Sequence, residues 1–278
     1  MTRYTNQPES PMSTAADTLG CALVQADTRW ADPDANRENL ARLMDSAPDC
    51  GLYVLPETCN TGFLGDEDLE KAGRRAEIRD GGEVAWLEAQ ARDRAAAIAC
   101  SIVVEEDGKL FNRFVLARPD AESAIYDKRH LFGFGGEGKR YTAGDRRVRA
   151  ELSGRRVDLQ VCYDLRFPVW CRNDDAFDLQ IFVANWPSPR VDAWRTLLKA
   201  RAIENQAMVI GLNCVGVDGK GVVYPGSSGA WDALGGSLVG PLDDREQVAT
   251  FELDFAAQDE IREKFPFLPD RDHYSIES

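Results

Sequence analysis

Short, nearly continuous apolar runs recur along this chain between segments with helical spacing, and this alternation confines the fold to a mixed α/β architecture. Residues 19–26, 51–55, 101–105, 110–117, 155–161, 179–184 and 208–214 read as buried strands, most of them ending at Gly, Pro or charged residues. Leu40, Leu43, Met44 and Ala47 recur at helical spacing over 36–47. Behind Gly81-Gly82 a second helix is predicted with Val84, Leu87, Ala91, Ala95 and Ile98 on one face. Residues 168–172 read as a short helix, 191–205 as a longer one, and 255–265 as an amphipathic closing segment. Asp107-Gly108 between two strands is a hairpin signal. The result is a mixed sheet system covered by helices. No Pro-, Ser- or charge-rich linker divides the chain and no repeat of 20–50 residues occurs, so one domain is expected over 18–278, behind a disordered N-terminal segment at 1–17.

Composition removes several classes of partner. With 33 Lys+Arg against 47 Asp+Glu, the formal charge of −14 opposes binding to nucleic acid or an anionic membrane. The longest mostly apolar stretches, 95–104 and 207–217, fall short of the ~18–20 residues that cross a bilayer. The first 17 residues have no apolar core of the kind a secretory signal needs. Seven scattered cysteines, an odd number without framework spacing, fit reduced thiols and a cytoplasmic location.

Histidine is nearly absent. Only His130 and His273 occur, so any His-dependent triad must use His130. There is no G-x-S-x-G, C-x-x-C or H-E-x-x-H. The string Gly133-Phe134-Gly135-Gly136-Glu137-Gly138 spells G-x-G-x-x-G, but it follows a charged cluster rather than a first βαβ strand and reads as a flexible loop. Three segments carry more chemistry. Cys162 sits where a buried strand gives way to a turn and a helix start, a setting that favours thiolate and could hold an oxyanion; the alternative is a cysteine filling the core. Tyr126-Asp127-Lys128-Arg129-His130 is a charged cluster, or else a solvated loop. Glu57 ends the run Val54-Leu55-Pro56-Glu57, as a reactive carboxylate or a capping acid. Together a carboxylate base, an ammonium and a thiol make an acyl-transfer site without histidine.

These segments resemble the nitrilase, or carbon–nitrogen hydrolase, superfamily over roughly residues 19–267. Leu55-Pro56-Glu57, Tyr126-Asp127-Lys128-Arg129-His130-Leu131-Phe132 and Val161-Cys162-Tyr163-Asp164-Leu165-Arg166-Phe167-Pro168 occur in the family's order, with Lys128 71 residues after Glu57 and Cys162 34 after Lys128. Ala184-Asn185-Trp186-Pro187 and Arg201-Ala202-Ile203-Glu204-Asn205-Gln206 add to the match. The second and third segments are most similar to the omega-amidase branch, which hydrolyses 2-oxo dicarboxylic acid monoamides.

The resemblance implies a four-layer α-β-β-α sandwich, assembly into homodimers or larger homo-oligomers, a small-molecule amide substrate, and no metal or organic cofactor. It implies Glu57 as general base, Lys128 as charged stabiliser, Cys162 as nucleophile and Glu137 as a supporting carboxylate. Among the substrate-binding candidates, the backbone N–H of Tyr163 holds the oxyanion. Arg166 is expected to pair with a distal carboxylate or, equally, with a structural acid. Asn185, Trp186, Phe63 and Phe132 are expected on the pocket wall. Arg201 and Glu204, three apart on a helix, are assigned to scaffold pairing. Other amides, N-carbamoyl amines or nitriles are the alternative substrates, and a non-catalytic ligand-binding protein on the same fold is the remaining reading.

Overall fold

The computed structural model describes residues 16–64, 81–175 and 177–276. Of the expected N-terminal segment, residues 1–15 lie outside the described residues. The Ala16 N–H donates to the Ser153 carbonyl, and the Asp17 carbonyl accepts from the Phe255 N–H.

Two six-stranded sheets dominate. The first has the order β14-β1-β2-β3-β4-β5, from Thr18–Gln25 (β1), Leu52–Val54 (β2), Ala97–Glu106 (β3), Lys109–Ala117 (β4), Ala124–Asp127 (β5) and Gln247–Asp254 (β14). The second has the order β13-β12-β9-β8-β7-β6, from Arg149–Leu152 (β6), Arg155–Val161 (β7), Leu179–Ala184 (β8), Met208–Asn213 (β9), Gly229–Trp231 (β12) and Ser237–Val239 (β13). Val215–Val217 (β10) and Val223–Pro225 (β11) form a separate two-stranded hairpin. Each large sheet has a parallel centre, β1-β2-β3 and β7-β8-β9, flanked by antiparallel strands. Parallel strands covered on both faces need apolar side chains on both, hence the unbroken runs.

Strand periodicity divides the core. Leu23, Val54, Ala99 and Leu116 of the first sheet cluster with Leu159, Val161, Ile181 and Val183 of the second. The alternate residues Ala22, Val24, Tyr53, Ile98 and Val115 meet Leu40, Leu43 and Met44 of helix α1 (Pro33–Asp45) and Leu87 and Ala91 of helix α2 (Gly82–Arg94). Helix α3 (Val191–Asn205) covers the other side of the second sheet, with Trp194, Leu198 and Ala202 buried. A Cβ on Gly211 of β9 would lie 2.3 Å from Leu198, so a glycine there lets α3 approach closely. Helix α4 (Phe255–Lys264) is tied to the same sheet through Gln258, whose Oε1 accepts from the Met208 N–H. The layers run α-β-β-α, as expected. Among the described residues no helix is long and apolar enough to cross a membrane.

Local details follow and also correct the sequence reading. Asp32 caps α1 by accepting from the Ala35 N–H, with Pro33 in its first turn. Asp107 and Gly108 both take positive φ, 52° and 72°, as a tight primed turn requires. The second helix stops short of its predicted face. Ala95 adopts φ 50° and closes α2, while Ile98 already belongs to β3, so the apolar spacing runs on through a change of element. The short helix expected at 168–172 is a turn instead. A 3₁₀ turn forms earlier, at Cys162–Arg166, because the Asp164 carboxylate accepts from the Val161 N–H. Phe167, ahead of Pro168, is extended.

Candidate active site

Both parallel centres end at the same place, and the loops leaving them carry polar side chains towards each other. Glu57 follows β2, Lys128 follows β5, Cys162 follows β7 and Asn185 follows β8. Lys128 Nζ lies 2.9 Å from Glu57 Oε1, and 3.1 and 3.0 Å from Glu137 Oε1 and Oε2. All three side chains are 1% exposed. Buried charges at such depth persist only when paired and fully hydrogen-bonded, and here they are. Asn112 Nδ2 donates to Glu57 Oε1 at 2.8 Å and to Glu137 Oε1 at 3.2 Å. The Asn185 N–H donates to Glu57 Oε2 at 2.6 Å, and the Phe132 N–H donates to Glu137 Oε2 at 2.6 Å.

Burial alone would push the Lys128 ammonium towards its neutral form. The Glu137 and Glu57 carboxylates, with Cys162, outweigh it and hold the ammonium well above the ordinary lysine value. Lys128 is therefore a fixed positive charge at neutral pH.

Cys162 takes φ 45°, a strained left-handed conformation for a residue with a side chain, directly at the end of β7. Burial first, then the Glu57 charge, raise its thiol well above the ordinary 9.0; Lys128 opposes them, while Glu137 and a hydrogen bond with Glu57 add to the rise. The thiolate-favouring effect expected of this strand–helix junction is outweighed here. The following helical turn is only five residues long, and two carboxylates outweigh one ammonium. The sulfur rests as a thiol beside a carboxylate acceptor.

Cys162 opens into a cavity of about 600 Å³. Its wall contains Glu57, Lys128, Cys162, Tyr163, Arg166, Asn185, Trp186, Phe63 and Phe132, nine of the ten residues singled out from the sequence. The tenth, Glu137, holds Lys128 from the far side. Arg166 makes no ion pair among the described residues; its guanidinium lies over the Trp186 ring, 4.9 Å from the centroid. Arg201 and Glu204 do form the expected scaffold pair at 2.8 Å.

Five contributors were not anticipated. Asn112 lies in β4, and a buried amide among the apolar residues Leu110, Phe111, Phe114 and Val115 was a usable signal. Asp164 is fully buried, and in the sequence nothing but its place in the Cys162 segment marks it. Arg190 and the hairpin residues Asp218 and Tyr224 also line the cavity, and nothing local in the sequence announces them.

The carbon–nitrogen hydrolase family pattern matches residues 21–263. The omega-amidase YafV of Yersinia enterocolitica is 40% identical over 93% of this chain and 99% of its own length. The 2-oxoglutaramate amidase of Bacillus subtilis is 31% identical over 91% of this chain and 96% of its own. Among solved structures, XC1258 from Xanthomonas campestris, a carbon–nitrogen hydrolase superfamily protein with an arsenic adduct in its active site, superposes with a TM-score of 0.88. It is 44% identical and covers 94% of this chain and 99% of its own. End-to-end likeness of this order, in sequence and in fold, establishes that the chain belongs to the carbon–nitrogen hydrolase family.

Proposed function

We propose that this chain is an omega-amidase, which hydrolyses the terminal amide of a 2-oxo dicarboxylic acid monoamide through a thioester on Cys162. The observation that carries the reading is the buried Glu57–Lys128–Glu137 ion cluster against the cavity that Cys162 opens into. Full-length likeness to omega-amidases and a 2-oxoglutaramate amidase supports the substrate class. The arsenic adduct in the active site of XC1258 fits a site built around a nucleophilic sulfur, since arsenic is thiophilic.

In this mechanism Glu57 takes the thiol proton as the Cys162 sulfur attacks the amide carbon. Negative charge develops on the carbonyl oxygen. The Lys128 ammonium and the Tyr163 backbone N–H stabilise it; losing one such donor costs about 10²–10³ in turnover. Glu57 returns the proton to the nitrogen, the C–N bond breaks, and ammonia leaves an acyl thioester. Glu57 then deprotonates a water that attacks the thioester, and the acid departs as the sulfur regains its proton. Glu137 and Asn112 hold Lys128 and Glu57 in place without touching the substrate.

The cytoplasm is the proposed location, supported by seven free cysteines. A homodimer or larger assembly is supported by the exposed Ile203, Leu234 and Phe267. The reading is tested by ammonia release from 2-oxoglutaramate. Wild-type protein should release it, and Cys162→Ala should not while keeping its fold. Equal release by both proteins would end the proposal.

A further inference from the structure

The catalytic groups handle one end of the substrate and leave the other end of the cavity unexplained. Four cationic side chains, Lys128, Arg166, Arg190 and Lys220, line that cavity against two carboxylates, Glu57 and Asp218, in a protein of charge −14. Both carboxylates are already engaged. Glu57 accepts from Lys128, Asn112 and the Asn185 N–H. Asp218 Oδ1 accepts from the Lys220 and Val222 N–H groups and Oδ2 from the Tyr224 hydroxyl, inside its own hairpin turn.

Arg166 and Arg190 have no carboxylate partner among the described residues. Each is instead laid on an aromatic ring, Arg166 over Trp186 at 4.9 Å and Arg190 over Phe132 at 5.2 Å. The rings themselves are anchored. Trp186 Nε1 donates to the Arg190 carbonyl at 2.7 Å, and the Phe132 N–H donates to Glu137. A stacked guanidinium keeps its in-plane N–H donors free while losing little freedom on binding an anion. Two such groups at one cavity, neither paired with a carboxylate among the described residues, make a receptor for a group that only accepts hydrogen bonds.

Resting on the omega-amidase reading, we propose that Arg166 and Arg190 together form the specificity site for the substrate's distal carboxylate and its adjacent oxo oxygen. Both substrate groups are pure acceptors and match the two donor forks. The same pair selects against the corresponding amino acid amide. Glutamine presents an ammonium where 2-oxoglutaramate presents an oxo group, and two guanidiniums repel it. Arg190 thus joins Arg166 as a substrate-binding residue, reached from the loop that follows β8.

Two probe pairs test this in steady-state kinetics. Glutaramate and pentanamide differ by a carboxylate for a methyl group, and 2-oxoglutaramate and glutamine differ by an oxo group for an ammonium. Wild-type protein should favour the first member of each pair in kcat/KM. Arg190→Met and Arg166→Met should each shrink both preferences about 10- to 100-fold, mainly through KM, and Arg190→Lys should recover part of the loss. Preferences that match wild type in Arg190→Met would overturn the role of Arg190. A wild-type enzyme indifferent to the distal carboxylate would overturn the whole receptor while leaving an amidase. Calorimetric binding of 2-oxoglutaramate in the Cys162→Ala background reads the site without catalysis. Weaker binding on adding Arg190→Met supports the proposal even if hydrolysis is never seen, and unaltered binding contradicts it.

Discussion

Asp164 Oδ1 accepts both the backbone N–H of His130, at 2.9 Å, and a hydrogen bond from its ring Nδ1, at 2.8 Å. Asp164 lies two residues after Cys162 and His130 two residues after Lys128, so this contact staples the Cys162 turn to the Lys128 loop. The other carboxylate oxygen accepts from the Tyr126 hydroxyl at 2.7 Å and the Val161 N–H at 3.0 Å. The His130 ring stacks on Phe167, with centroids 3.7 Å apart. The one histidine available to the catalytic region is therefore spent on positioning. Because the His130 N–H, the Tyr126 hydroxyl and the Val161 N–H all donate to this carboxyl group, it serves as an acceptor and Nδ1 is assigned as the donor.

Removing that staple should harm geometry and stability together. Asp164→Ala strands four donors, two of them fully buried, and we expect a loss of about 2–4 kcal/mol and a fall in kcat of about 10²-fold. Denaturant melts and steady-state kinetics check both. A variant as active and as stable as wild type would show that the two loops do not depend on this carboxylate.

The two carboxylates on Lys128 should differ in consequence. Glu57→Gln removes the proton acceptor and should lower kcat by about 10³ or more. Glu137→Gln leaves Lys128 paired with Glu57 and should cost only about 10–100-fold. Ammonia-release kinetics on both variants give the ordering, and a larger loss in Glu137→Gln would exchange the roles assigned to them.

The pH dependence of alkylation follows from the raised thiol. A higher thiol pKa means that thiolate becomes abundant only above the ordinary value of 9.0. Iodoacetamide inactivation of substrate-free protein should keep accelerating as pH rises past 9. A plateau reached near neutral pH would mean a resting thiolate–ammonium pair instead. The same sign applies to stability. Cys21, Cys59, Cys171 and Cys214 are likewise held neutral, chiefly by burial in all but Cys59, where a hydrogen bond with Cys100 comes first. The unfolded chain alone ionises above pH ~8.5, and stability should fall as pH rises beyond it.

Gly144 fixes the lysine loop from below. Its N–H donates to the Lys128 carbonyl at 3.0 Å, and a Cβ there would lie 2.1 Å from the Asp127 carbonyl oxygen. Backbone must move to admit it. Gly144→Ala should cost about 2–4 kcal/mol, lower Tm by roughly 5–15 °C and reduce kcat. An unshifted Tm would show that the loop absorbs the methyl group.

Much of this architecture was legible in the chain. The runs at 155–161 and 179–184 and the helix at 191–205 appear with the predicted ends, because apolar stretches there stop abruptly at polar or turn residues. The reading failed where two elements abut. Ala95 closes α2 only two residues before β3 begins, and periodicity cannot register a switch that brief. Glu57, Lys128 and Cys162 each stand out locally at a strand end, and the fold brings all three to one cavity. Arg190 does not stand out, since its role comes from Phe132, which lies 58 positions earlier and meets it only after both sheets have packed.

The most direct test of the covalent pathway is intact-mass analysis of protein quenched during turnover of 2-oxoglutaramate. The account predicts a transient mass increase equal to the acyl group, mapping to the peptide that contains Cys162 and absent from Cys162→Ala. Steady turnover with no adduct at any quench time, or an adduct on another residue, would contradict it.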